Sequence, residues 1–205
     1  MAMGDPIKAT AASLGSKLPA VRRSSARASR LPGSVRERRV GTDQARADPL
    51  PTPDLERFLT GLAETPALWR HLVRHDGNAR VFEQIWDGDD VNAWLICWSE
   101  DQDTGFHDHD DSAAAILVVD GHVREERLRL DAAPDARVLG PGTTFTVPAA
   151  AIHRVLHAGS VPAVTIHTYS PPLRRTGTYS IGPRGALERA PQSYERELRA
   201  EVALS

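Results

Sequence analysis

Two histidines one residue apart, His107 and His109, and a third, His153, 44 residues further on, constrain this chain more than any other feature. Side chains alternate along an extended strand, so a His-x-His pair turns both rings to one face. A third imidazole can join them only if a strand distant in sequence closes against theirs. The surrounding spacing is regular. Four residues separate His109 from Ala114, and six more lead to Gly121. A second block runs from Gly142 through five residues to Pro148, then through four to His153.

The hydrophobic pattern agrees with a fold of returning strands. Thr52-Pro53 reads as a helix start, a cap residue followed by proline. Leu55, Phe58, Leu59 and Leu62 then recur at helical spacing. Thr65-Pro66 repeats the signal for a second short helix with Trp69, Leu72 and Val73, which Asp76-Gly77-Asn78 ends. Beyond it the period falls to two. Strands are expected over 93–98, 114–119, 122–130, 143–147, 153–156 and 162–169, with the charges of 122–130 facing outward. Asp120-Gly121 and Gly140-Pro141-Gly142 mark turns. The expected class is mainly β, a sandwich or barrel with short N-terminal helices.

The 205 residues suffice for one domain with tails. The single cysteine, Cys97, excludes an internal disulfide and fits a cytoplasmic location. It reads as a small buried strand residue. No apolar run reaches the roughly 18 residues of a membrane span, and no secretory signal is expected. The net charge of −2 conceals an asymmetry. Residues 1–50 hold ten Lys/Arg and four acids; the remainder holds 15 and 23. The division expected is a disordered basic arm over 1–50, one domain over 53–188, and a C-terminal tail over 189–205. The arm has an Arg/Ser-rich, acid-poor composition like a transit peptide, but reads most simply as a dispensable tail. It has no aromatic residue for base stacking, so nucleic acid is not expected as a partner. A monomer is expected.

Three neutral imidazoles suit Fe, Cu, Zn and Ni alike. With no carboxylate among the donors, a divalent ion keeps its full charge and favours an anionic ligand such as a thiolate. Nearby, period two places Thr165, His167 and Tyr169 on one strand face. A hydroxyl, an imidazole and a phenol in a row form a relay that can hold the phenol proton over a substrate.

The two histidine blocks resemble the cupin double motif, with Ala114 where most cupins carry a metal-binding glutamate. Cys97-Trp98, His107-Asp108-His109-Asp110-Asp111-Ser112, Ile152-His153-Arg154-Val155 and His167-Thr168-Tyr169-Ser170-Pro171-Pro172 together resemble the thiol dioxygenases, cysteine dioxygenase and its bacterial relatives. The resemblance spans roughly residues 55–185. It implies a single cupin jelly-roll barrel with Fe(II) held by His107, His109 and His153. It implies a small thiol and O₂ as substrates and a sulfinate as product. It makes Tyr169 and His167 the outer-sphere pair and suggests a cis bond between Ser170 and Pro171.

Three departures stand out. Thr165 takes the place of the family's usual serine and keeps the hydroxyl. Ala114 replaces the cysteine that animal members cross-link to the tyrosine. Asn78-Ala79-Arg80 keeps the arginine of the family's Tyr-x-Arg segment without its tyrosine. Arg80 is therefore the expected handle for a substrate carboxylate, which favours L-cysteine, with Arg174, Arg175 and Arg184 as rivals. Three alternatives stay open: another thiol such as 3-mercaptopropionate, a different cysteine-derived product of secondary metabolism, and a non-catalytic metal-binding cupin.

Overall fold

The computed structural model describes residues 49–129 and 132–193. The basic arm, except for its last two residues, lies outside the described residues, as do residues 194–205 of the expected tail.

Helix α1 spans Thr52–Ala63 and buries Leu55, Phe58, Leu59 and Leu62. Pro51, not Thr52, occupies its cap position, so the helix starts one residue earlier than the threonine signal suggests. The second expected helix is instead two 3₁₀ turns, Pro66–Leu68 and Arg70–Leu72. Trp69 separates them with φ −134°, and its indole Nε1 donates to the Leu62 carbonyl at 3.2 Å. That anchor draws the chain back onto α1 and prevents a continuous helix.

Eleven strands follow among the described residues: β1 Val81–Asp87, β2 Asn92–Trp98, β3 His107–Asp108, β4 Ala113–Asp120, β5 His122–Arg127, β6 Asp135–Leu139, β7 Thr144–Val147, β8 His153–Ala158, β9 Ala163–Ser170, β10 Arg175–Ile181 and β11 Leu187–Ser193. They form two antiparallel sheets, ordered β1-β2-β9-β4-β7 and β11-β10-β3-β8-β5-β6. This is a jelly roll, with two facing sheets rather than one closed barrel. Strands β1, β6, β10 and β11 carry no clean alternation and lie outside the expected set, while the strand expected around His107 and His109 is only the two residues of β3. β6 buries only Leu139, and β11 is exposed along almost its whole length. The boundary expected at residue 189 falls inside β11, so residues 189–193 belong to the sheet and not to a tail.

The core explains why β2 reads as apolar from Ala93 to Trp98. Trp94, Ile96 and Trp98 pack between the sheets with Ile116, Val118, Val147 and Val155. Ala93, Leu95 and Cys97 face the other way, against α1. β9 divides similarly: Val164 and Ile166 pack under the helix, while Tyr169 belongs to the inter-sheet cluster. A strand covered on both faces needs no polar side to be stable. Gly121 closes the β4–β5 turn at φ +65°, where a Cβ would overlap the Pro162 carbonyl. The Ser170–Pro171 bond is cis. Among the described residues no helix is long and apolar enough to cross a membrane.

Candidate metal centre

The three histidines meet between the sheets. His107 opens β3, His109 follows it by one residue, and His153 opens β8 directly opposite His107 in the ladder. All three are buried. The Nε2 atoms of His107 and His109 are 3.2 Å apart, and those of His109 and His153 are also 3.2 Å apart. Each residue offers one ligand atom, and these lie within 4.8 Å of one another. An ion at about 2.1 Å from each nitrogen would span donors roughly 3.0–3.4 Å apart, so the two 3.2 Å edges fit a divalent metal.

The protonation states suit this donor set. His107 Nδ1 lies 3.1 Å from the Gly105 carbonyl, which can only accept a hydrogen bond. That contact leaves Nε2 bare and facing the other rings. Burial, then the neighbouring histidines, hold His109 and His153 well below their ordinary 6.5. Neutral imidazoles are the form a metal needs. Nδ1 of His109 and of His153 has no hydrogen-bond partner among the described residues.

Thr165, His167 and Tyr169 stand in a hydrogen-bonded row on β9. Thr165 Oγ1 lies 2.8 Å from His167 Nε2, and His167 Nδ1 lies 3.2 Å from the Tyr169 hydroxyl. Trp98 Nε1 donates to Thr165 Oγ1 at 2.9 Å and its ring stacks near His167, with centroids 6.5 Å apart. The Tyr169 ring meets His109 edge-on at 4.9 Å, so this row of side chains ends against the histidine cluster. Burial, the Arg80 charge and His107 hold His167 down to about 3. Ala114, which lacks a sulfur, is the cross-strand partner of Tyr169.

Arg80 precedes β1 and is 4% exposed, so it is not a solvated loop charge. Its guanidinium lies over the Trp98 ring at 5.2 Å and donates to the Asp103 carbonyl at 2.7 Å. Arg174 and Arg184 are exposed, and the exposed Arg175 pairs with Asp110 at 3.2 Å. Cys97 sits on the opposite face of β2, where burial raises its thiol pKa.

Sequence reasoning missed three supports. Glu125 was expected to face outward, yet it is buried beside His153, with Oε1 3.7 Å from Nδ1. It is in phase with the buried Val123, the signal that marks it as inward-facing. Asp103 accepts from the Gly105 amide and from Arg154 at 2.7 Å, fixing the turn that presents the Gly105 carbonyl to His107. Asp108, between two donor histidines, is buried under Arg189 and Tyr179. Burial alone would raise its pKa; Arg189, Tyr179 and the Asp110 amide outweigh burial and hold the carboxyl well below its usual range.

A jelly roll that gathers three imidazoles with no carboxylate among their ligand atoms has a donor set that could hold a metal ion. The family profile described as Cysteine dioxygenase type I matches residues 54–181, and the chain belongs to that family. Cysteine dioxygenase type 1 of Danio rerio is 22% identical over 144 residues, covering 65% of this chain and 72% of that protein. The Bos taurus protein of the same name is 25% identical over 132 residues, covering 58% and 64%. A solved Klebsiella pneumoniae protein with a double-stranded β-helix domain superposes with a TM-score of 0.46 at 12% identity, covering 59% of this chain and 87% of that one.

Proposed function

We propose that this chain is a non-haem Fe(II) thiol dioxygenase that converts L-cysteine and O₂ to cysteine sulfinate. The observation that carries the reading is the cluster of three Nε2 donors, with no carboxylate among them, beside the Tyr169 ring. Membership of the cysteine dioxygenase type I family supports it. His107, His109 and His153 hold the iron, which supplies the redox chemistry that joins a thiol to O₂. The balance closes without another cofactor: RSH + O₂ gives RSO₂H, with sulfur giving up the electrons that O₂ takes.

The chain's own residues bind and orient. Three neutral donors leave positive charge at the centre, which favours the thiolate over the thiol. Arg80 grips the substrate carboxylate from the Trp98 side of the relay. Trp98 fills one lone pair of Thr165, whose hydroxyl donates to His167 Nε2. His167 Nδ1–H then donates to the Tyr169 oxygen, so the phenol proton is directed to the substrate. A His167 that stays neutral down to about pH 3 keeps this order throughout the working range.

The test is anaerobic loading with Fe(II), then O₂ uptake with cysteine, 3-mercaptopropionate, cysteamine and homocysteine, with products weighed by mass spectrometry. Cysteine should be consumed fastest, with a gain of two oxygen atoms. A faster 3-mercaptopropionate reaction would reassign the substrate. A different mass gain would reassign the product. No thiol-dependent uptake by the iron-loaded protein would leave a metal-binding cupin without this chemistry.

A further inference from the structure

The strand that carries His107 is two residues long and has little ladder of its own. Its register partners are Gly177 and Thr178 on β10 and His153 on β8. So short a strand needs another anchor if two rings are to stay at a fixed separation. The anchor is the side chain between them. Asp108 is 3% exposed and accepts from five donors. Asp110 N donates to Oδ1 at 2.8 Å, closing the turn after His109, and Gly177 N donates to Oδ1 at 3.1 Å. The Tyr179 hydroxyl donates to Oδ2 at 2.6 Å. Arg189 donates Nε to Oδ2 at 2.7 Å and Nη2 to Oδ1 at 2.9 Å, a two-point fork.

The fork crosses a strand to make this contact. Arg189 stands on β11 opposite Tyr179, and β10 lies between β11 and β3. The guanidinium passes over Gly177, the β10 partner of Asp108, where a Cβ would overlap it. Glycine there is the vacancy that the arginine fills. Arg189 lies beyond residue 181, where the family match ends, so the outermost strand adds something to the centre that the matched stretch does not contain.

We propose that Arg189 is a positioning residue for the metal centre: through Asp108 it ties β3 to the β10–β11 hairpin and holds His107 and His109 at their chelating separation. This rests on the reading of the three histidines as metal donors. Arg189 acts chiefly through Asp108, and its Nη2 also lies 3.4 Å from Asp110 Oδ1 in the turn after His109.

The experiment titrates the full chain with Co(II) and reads affinity and the visible spectrum, beside the melting temperature of the metal-free protein. Arg189→Met should weaken Co(II) binding about tenfold or more and shift the bands, as loss of an outer support of a ligand does. Arg189→Lys should recover part of the affinity but not the spectrum, because a point charge cannot make the fork. Tyr179→Phe, which removes one donor and keeps the arginine, should show a smaller loss in the same direction and serves if Arg189→Met does not fold. Arg129→Met, which breaks the exposed Arg129–Asp135 pair, should change neither reading. Unaltered Co(II) affinity and spectrum in folded Arg189→Met, with only a lowered melting temperature, would overturn the proposal and leave the histidine donor set standing. Failure of the unsubstituted chain to bind Co(II) would overturn the donor set, and this inference with it.

Discussion

A carboxylate oxygen of Glu125 lies 3.7 Å from Nδ1 of His153, on the ring edge away from the nitrogen that faces His109. Both side chains are buried. Arg127 holds the carboxylate at 2.9 Å and Arg137 at 2.5 Å, so its charge is matched twice. Glu125→Gln should leave two half-exposed guanidinium groups without their counterion and loosen His153. The expected cost is about 1–3 kcal/mol in urea unfolding, less than for a fully buried pair because both arginines reach solvent. Metal affinity should fall about tenfold. Unchanged affinity in isothermal titration would show that Glu125 does not orient the ring.

The metal-free protein should lose stability as the pH falls from about 7 to 5. His167 is held down to about 3 from an ordinary value of 6.5, chiefly by burial. Between those values the unfolded chain binds a proton there and the folded chain does not. Stability from this group is therefore fully present above the unfolded value and is lost on acidification, by ~1.4 kcal/mol per pH unit. Replacing His167 with Gln should flatten the slope of urea stability against pH by about that amount. Parallel slopes for the two proteins would refute the assignment.

How much of this was legible depended on range. The His107–His109 pair and the Thr165–His167–Tyr169 face follow from strand alternation, which acts over two residues and is written in the sequence; His153, 44 residues further on, entered only through the resemblance of its block to the cupin motif. The packing of Trp98 against the relay is a consequence of the same alternation on β2. The supports were hidden because polar burial follows no hydrophobic period. Glu125 finds Arg137 twelve residues away across a hairpin, and Asp108 finds Arg189 eighty-one residues away. The strand that carries Arg189 is exposed and mostly polar, with a proline in it, and composition alone reads such a segment as a tail. It is a strand because β10 offers it an edge, which is a fact of topology.

Removal of residues 1–48 should leave fold, metal content and turnover unchanged, since that stretch has almost no periodic apolar residues to contribute to a core. The cut must stop there. Leu50 packs against the cluster beneath α1, and its amide donates to Ser170 Oγ at 2.8 Å. That hydroxyl in turn donates to the Asp90 carbonyl at 2.8 Å, next to the end of β9 that carries Tyr169. Truncation through residue 51 should lower the melting temperature by several degrees, where truncation through 48 does not. Equal melting temperatures for the two truncations would show that Leu50 contributes nothing.

Arg80 offers the sharpest test of the proposed substrate, because the structure gives it a second task. Its Nη1 donates to the Asp103 carbonyl, and the turn that follows presents the Gly105 carbonyl to His107. A carboxylate handle and a support for the turn predict different patterns. If Arg80 grips the carboxylate, Arg80→Ala should raise KM for cysteine strongly and leave iron content intact. Loss of a charge-assisted two-point contact costs ~2–4 kcal/mol, a fall of roughly 30- to 1000-fold in kcat/KM. Cysteamine has no carboxylate, so its slower turnover should barely change. Arg80→Lys should recover part of the loss, since a point charge attracts the carboxylate but cannot fork it. If Arg80 instead serves the turn, both thiols should suffer equally, iron affinity should drop, and Arg80→Lys should repair both together. Measuring kcat, KM and bound iron for the two thiols across the two variants separates the handle from the support.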